Sequence, residues 1–190
     1  LSWSTNGLIN EYCNEADAIY EGKSIKVMPL EGAEKIVIDG ESFEAFNTSG
    51  GCATMCETYT GKVENLSYKT IRYPGHLNHM KFLFNDLHLK KNKDVLEKLF
   101  DKEVPRTKND VIIFFVKVIG LIDGVLQEKT YLRKIYGDEK FSAIQLTTAS
   151  GVCSALKMFL DCKITNKGFT KQESLNWNDF LENKYGQVYA

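Results

Sequence analysis

Arg72, Tyr73 and His76 fall within five positions of one another in the run Tyr68-Lys69-Thr70-Ile71-Arg72-Tyr73-Pro74-Gly75-His76. A guanidinium fork can hold a carboxylate through two hydrogen bonds, and an imidazole titrates nearest neutral pH, so the group could bind an acid and move a proton. Upstream lies Asn47-Thr48-Ser49-Gly50-Gly51. Two hydroxyls and a glycine pair ahead of a helix would turn donors towards a carboxylate. Each feature also has a plainer reading: a surface ion pair for Arg72, a structural role for His76, and a strand-to-helix turn at the glycines. Cys52, Cys56, His76 and His79 could supply four zinc ligands. Their Cys-x3-Cys and His-x2-His spacing matches no strong finger pattern, and two cysteines on a buried face explain it better, so no metal is expected.

These side chains need elements to hold them. Residues 1–18 show no clean period and read as an irregular lead-in. A strand over 24–28 ends at Pro29, and strands over 35–38 and 42–46 pair through an Asp39-Gly40 hairpin turn. After Gly50-Gly51 a short helix carries Ala53, Cys56, Glu57 and Thr60 and closes at Gly61. Residues 66–73 alternate as a strand. Pro74 then opens a helix whose core face is Leu77, Met80, Leu83, Phe84 and Leu87, and another helix covers 94–100. The β-branched run 110–121 reads as a strand buried on both faces, turned by Asp123-Gly124 into a partner over 125–136. Residues 141–161 are the longest helix, with Ile144, Thr148, Val152, Leu156 and Phe159 on one stripe. Gly151 within it lets a neighbour come close. A loop at 167–169 and a last helix over 175–185, capped by Gly186, complete the chain. The expectation is one α+β domain over 1–190: a mixed, largely antiparallel sheet with helices packed on one side.

Composition narrows the partners. The chain has 190 residues, 43% hydrophobic and 26% charged, enough to bury a core without disulfides or metal. With 24 basic and 25 acidic residues it has no electrostatic footprint for nucleic acid. Five irregularly spaced cysteines read as free thiols of a reducing cytoplasm. The apolar runs look shorter than the ~18 residues of a membrane span, so no membrane is expected. No Gly-x-Gly-x-x-Gly follows a strand and no phosphate-binding loop occurs, so no nucleotide cradle is legible. The first residue is Leu1, and the chain reads as a fragment or a trimmed product.

Several separated motifs then share one likeness. Residues 44–51, Glu57-Thr58, Gly61-Lys62-Val63 and 68–76 resemble the carboxy-terminal domain of the saccharopine dehydrogenase family, and 144–151, 167–173 and Asp179-Phe180-Leu181 look similar too. The resemblance implies an amino-terminal Rossmann domain, outside these 190 residues, followed by this substrate-binding and dimerisation domain. It implies oxidation of a carbon–nitrogen bond of an amino-acid-derived amine, with saccharopine as first guess, by NAD or NADP held mainly by the Rossmann half. Thr48, Ser49 and Gly50 would bind one substrate carboxylate and Arg72 another. Tyr73 and Trp3 would line the site, and His76 is a candidate proton carrier. The expected partners are the substrate and a second copy of the chain, in the cytoplasm, with the hairpin over 111–136 as a possible intersubunit sheet. The alternative is a non-catalytic dimerisation module whose motif stretch is structural.

Overall fold

The computed structural model describes residues 2–164 and 167–190, so Leu1 of the expected lead-in lies outside them. The architecture is α+β, and its strands form three small antiparallel sheets where a single sheet was expected. The residues fall into two compact units, Ser4–Pro105 and Leu1–Trp3 with Arg106–Ala190, where the sequence reading treated 1–190 as one domain.

In the unit Ser4–Pro105 the lead-in is a helix, α1 (Thr5–Cys13), contrary to expectation. The Ser4 side chain caps it by accepting from the Gly7 N–H at 3.1 Å. Its buried residues Thr5, Ile9, Tyr12 and Cys13 recur at helical spacing. The hairpin β1 (Ala16–Tyr20) and β2 (Lys23–Val27) turns at Glu21-Gly22, both at positive φ (48° and 73°). The strands β3 (Glu34–Ile38), β4 (Glu41–Asn47) and β5 (Lys69–Arg72) form the second sheet in that order. The expected Asp39-Gly40 turn joins its first two strands. Helix α2 (Met55–Tyr59) precedes β5, and α3 (His76–Lys81) follows it and runs on into a π-helical turn, Phe82–Asp86. Helix α4 (Lys93–Glu103) closes the unit. Ile9, Tyr12, Leu30, Phe46, Leu77, Phe84 and Leu96 form its core, each burial of a large apolar chain contributing roughly 1.5–3 kcal/mol.

The other unit is built on the hairpin β6 (Val111–Ile122) and β7 (Val125–Tyr136), helix α5 (Ala143–Leu160) and helix α6 (Trp177–Glu182). Two expectations change here. First, β6 forms where predicted but is not buried: Val116, Val118, Ile119 and Leu121 are exposed, as are Val125 and Leu126 on β7. Second, the inward stripe of α5 is Ala143, Thr147, Ser150, Ser154 and Met158, about one position (~100°) from the predicted one. Val152, Leu156 and Phe159 therefore face outward. Small residues on the inward face let the carboxy-terminal segment approach. Ser154 Oγ donates to Asn183 Oδ1 at 2.9 Å, Tyr189 donates to the Thr147 carbonyl, and a Cβ at Gly151 would sit 3.0 Å from the Tyr189 hydroxyl. By length and composition α5 is also apolar enough to cross a membrane, which the sequence reading had not seen.

Candidate functional site

Strand β5 and the start of α3 bring Arg72 and His76 against Tyr12 of α1. Tyr12 is 1% exposed and its ring is wedged among Phe46, Phe84 and His76. Arg72 Nε donates to the Tyr12 hydroxyl oxygen at 3.2 Å, and that hydroxyl lies 2.9 Å from His76 Nε2. An oxygen that accepts from arginine has its own proton left to give, and the tautomer of His76 with its proton on Nδ1 can take it at Nε2. Burial, with the Arg72 charge acting the same way, takes the imidazole down from 6.5 to about 4, while Glu44 pulls in the other direction. His76 is thus a neutral acceptor at physiological pH and does not titrate near neutrality, as its residue type had suggested.

Arg72 itself is half-buried, and Nη1 donates to the Ile71 carbonyl at 3.0 Å. No carboxylate forms an ion pair with it among the described residues, so the surface salt bridge of the plainer reading does not form. Glu11 is near enough for its carboxyl, raised by burial, to feel the guanidinium. The arginine is therefore held in orientation by neutral groups and forms no ion pair among the described residues, an arrangement that suits a carboxylate.

Helix α3 opens differently from expectation. Pro74 is not its first residue: Gly75, at φ 96°, stands at the cap and His76 begins the helix. The Glu44 carboxylate of β4 accepts from the Gly75 N–H at 3.2 Å and the Leu77 N–H at 2.5 Å. The start of this helix is thus already filled by an acid of the chain.

The glycine stretch also departs from its predicted form. Helix α2 begins at Met55, four positions after Gly51, and is five residues long, so no helix start faces Thr48, Ser49 or Gly50. Gly51 serves a different need: a Cβ there would lie 1.9 Å from the Tyr68 ring, so the ring rests directly on its backbone. Thr48 is fully buried, Ser49 is half-buried with its N–H on the Glu11 carbonyl, and Gly50 is exposed at φ 96°. Tyr73 is 58% exposed and leans on Phe43, on the far side of the strand alternation from Arg72. Trp3 is half-buried and belongs to the other unit.

Sequence reasoning missed Tyr12, Glu44 and Tyr68. Glu44 had a faint signal, an acid directly across the strand pair from Arg72. Tyr12 had none beyond its helical spacing. The cysteines are free, and no group of three metal-ligating side chains gathers among the described residues.

Comparison with known proteins places this α+β chain. The family model for the saccharopine dehydrogenase C-terminal domain matches residues 1–184, and the chain belongs to that family. Among solved structures it is similar to apo histidine-tagged saccharopine dehydrogenase (L-Glu forming) from Saccharomyces cerevisiae. The TM-score is 0.63 at 16% identity, a likeness of fold. The match covers 89% of this chain and 55% of that one, so the chain spans about half the length of the structure it resembles. The family is one of oxidoreductases that in general use NAD or NADP.

The residues described here do not fit such a cofactor. The amino end of α1 is filled by Ser4, and that of α5 by the Ser142–Gln145 capping box together with Asp110, which accepts from the Ala143 and Ile144 N–H groups. The start of α5 leaves no donor for a pyrophosphate, and no glycine-rich turn joins a strand to either helix.

Proposed function

We propose that this chain is the substrate-binding part of an NAD(P)-dependent oxidoreductase that acts on the C–N bond of an amino-acid-derived amine, saccharopine being the first candidate, in the cytoplasm. The observation that carries the reading is Arg72: a half-buried guanidinium oriented by Tyr12 and the Ile71 carbonyl, with no acid paired to it. In this reading Arg72 anchors a substrate carboxylate, the Tyr12–His76 pair holds it in place, and Thr48, Ser49 and Gly50 border the bound molecule. Tyr73 lines the approach. The nicotinamide cofactor is held by another part of the full-length protein. His76 has a positioning part, because an imidazole that resists protonation is a weak proton carrier at neutral pH. Arg72→Ala in the full-length enzyme is expected to lower kcat/KM by about 10- to 150-fold, the equivalent of ~1.5–3 kcal/mol for a charged hydrogen bond. An unchanged kcat/KM would remove the carboxylate role.

A second reading has its own support. The hairpin β6–β7 exposes apolar side chains on both faces, and the outer side of α5 adds more. A homodimer that covers them is the simplest account, and a module whose chief work is dimerisation would need nothing further. Light scattering on the eluted chain at micromolar concentration separates the cases, since a clean monomer would count against it.

A further inference from the structure

We propose that Cys52 and Cys56 are a modification site: a thiol pair that a hydroperoxide closes, reversibly, to an intrachain disulfide. The proposal stands apart from the substrate-binding reading and uses none of its residues. Cys52 lies in the turn ahead of α2, and Cys56 lies in the first turn of that helix. The Met55 N–H donates to the Cys52 carbonyl at 2.8 Å, and Ala53 stands at φ 44°, a conformation that side-chain-bearing residues seldom adopt. This tight turn folds Cys52 back over the start of the helix. The two side chains pack with Ile19 in a small buried cluster of their own, and the Cys52 thiol donates a hydrogen bond to the Cys56 sulfur. The remaining cysteine of the unit Ser4–Pro105, Cys13, belongs to the separate core around Tyr12.

The pair has a way in for a small oxidant. Cys52 borders a cavity of about 150 Å³ beside Gly51 and Tyr68, several times the ~30 Å³ share of a water molecule and roomy enough for a hydroperoxide. Cys56 does not border it. Cys52 is therefore the sulfur that the oxidant meets, and Cys56 is the resolving thiol. The Cys52 thiolate attacks a peroxide oxygen and the O–O bond breaks. The sulfur becomes a sulfenic acid, and the departing oxygen takes up the proton that Cys52 gave, leaving as an alcohol or, from hydrogen peroxide, as water. The Cys56 sulfur then attacks the sulfenic sulfur; the S–O bond breaks, and the hydroxyl leaves with the Cys56 proton as water. Two thiols have lost two electrons, and the peroxide has gained them. Burial, with Cys56 adding to it, pushes the Cys52 thiol up to about 12, and burial raises Cys56 as well. Thiolate is thus scarce at neutral pH, and closure answers sustained exposure to peroxide rather than a brief pulse. In a reducing compartment such a disulfide is transient and reopens by exchange with free thiols. Only three residues separate the cysteines, so the bond ties too short a loop to add much global stability. Its effect is local: it draws the two sulfurs together next to Gly51, on whose backbone the Tyr68 ring rests.

The test exposes the folded chain to hydrogen peroxide, stops the reaction with catalase, unfolds the protein, alkylates the free thiols with iodoacetamide and digests with trypsin. Cleavage after Lys35 and Lys62 puts both cysteines, and no others, on the peptide 36–62. Mass spectrometry should find that peptide unalkylated and about 2 Da light, the mass of the two hydrogens lost in the step. Dithiothreitol added before the iodoacetamide should restore two alkyl groups. The rate of closure should rise about tenfold per pH unit from pH 7 to pH 9, because the attacking thiolate is a small fraction of Cys52 throughout. In Cys56→Ser the same peptide should gain oxygen at Cys52, as sulfinic or sulfonic acid, since no thiol resolves the sulfenic acid. A peptide 36–62 that remains doubly alkylated once the methionines are oxidised would overturn the proposal. So would a disulfide from Cys52 to Cys13 or to a second chain, a closure rate indifferent to pH, or a Cys52 left untouched in Cys56→Ser.

Discussion

His76 carries a pH signature that the unfolded chain lacks. Its folded value, about 4, lies below the 6.5 of an unperturbed imidazole, so the unfolded state binds the proton first as pH falls. The resulting stability is complete above pH 6.5 and is lost as pH drops through the folded value. After discounting for partial exposure, the contribution is about 2 kcal/mol. Urea titrations at steps between pH 4 and pH 7 should show stability rising with pH, with a flatter rise in His76→Gln, which keeps an acceptor for Tyr12. Parallel slopes in the two proteins would rule out the imidazole as the cause. Tyr12→Phe isolates the other half of the chain of hydrogen bonds. It keeps the packed ring but frees the Arg72 guanidinium and leaves His76 Nε2 without its donor, for an expected loss of ~1–3 kcal/mol in stability. In the full-length enzyme KM should rise more than kcat falls, because the arginine is still present but no longer aimed. At this scale the sequence was half legible. Arg72 and His76 announce themselves by type, whereas Tyr12 lies sixty positions from Arg72 and only the packing of α1 against the second sheet brings it near.

Elements explain why some readings transferred and others did not. The hairpin turns at Asp39-Gly40 and Asp123-Gly124 were legible because two consecutive positive φ angles leave few residue choices. Helix α1 was not, because Gly7 and the polar residues around it weaken the local signal, and the stabilising contacts of Ile9 and Tyr12 lie far away in sequence. The start of α3 went astray for a similar reason. Pro74 is a sound helix opener by itself, but the Glu44 carboxylate claims the N–H groups of Gly75 and Leu77 and the helix begins two residues later, at His76. Glu44→Ala should therefore cost about 1–2 kcal/mol, read from the midpoint of urea unfolding, since it removes a charged cap. No change in midpoint would mean that solvent serves those donors equally well. Gly51→Ala tests a different contact. With a new methyl 1.9 Å from the Tyr68 ring, the ring must leave its place. A loss of ~1–3 kcal/mol and an altered tyrosine near-UV signal are expected; a variant as stable as the parent with an unchanged spectrum would contradict the contact.

For the molecule as a whole the outstanding fact is where its apolar surface lies. The run 110–121 was read as buried from its composition, a fair inference for a strand of a single chain. Composition cannot say whether burial comes from the same chain or from another. Leu121 is 72% exposed and Leu126, its cross-strand partner, 70%. Replacing Val118 and Leu121 together by lysine should leave the unfolding of the unit Ser4–Pro105 unchanged and convert a light-scattering dimer to monomer. A dimer that survives both charges would place the contact elsewhere. The ribbon has a further consequence. Twelve residues per strand make it about 40 Å long, and two strands alone are marginal in water. Its amide protons should therefore trade with deuterium quickly in dilute solution and slowly in concentrated solution. Their exchange rates would act as a clock that runs at a speed set by how often one copy meets another.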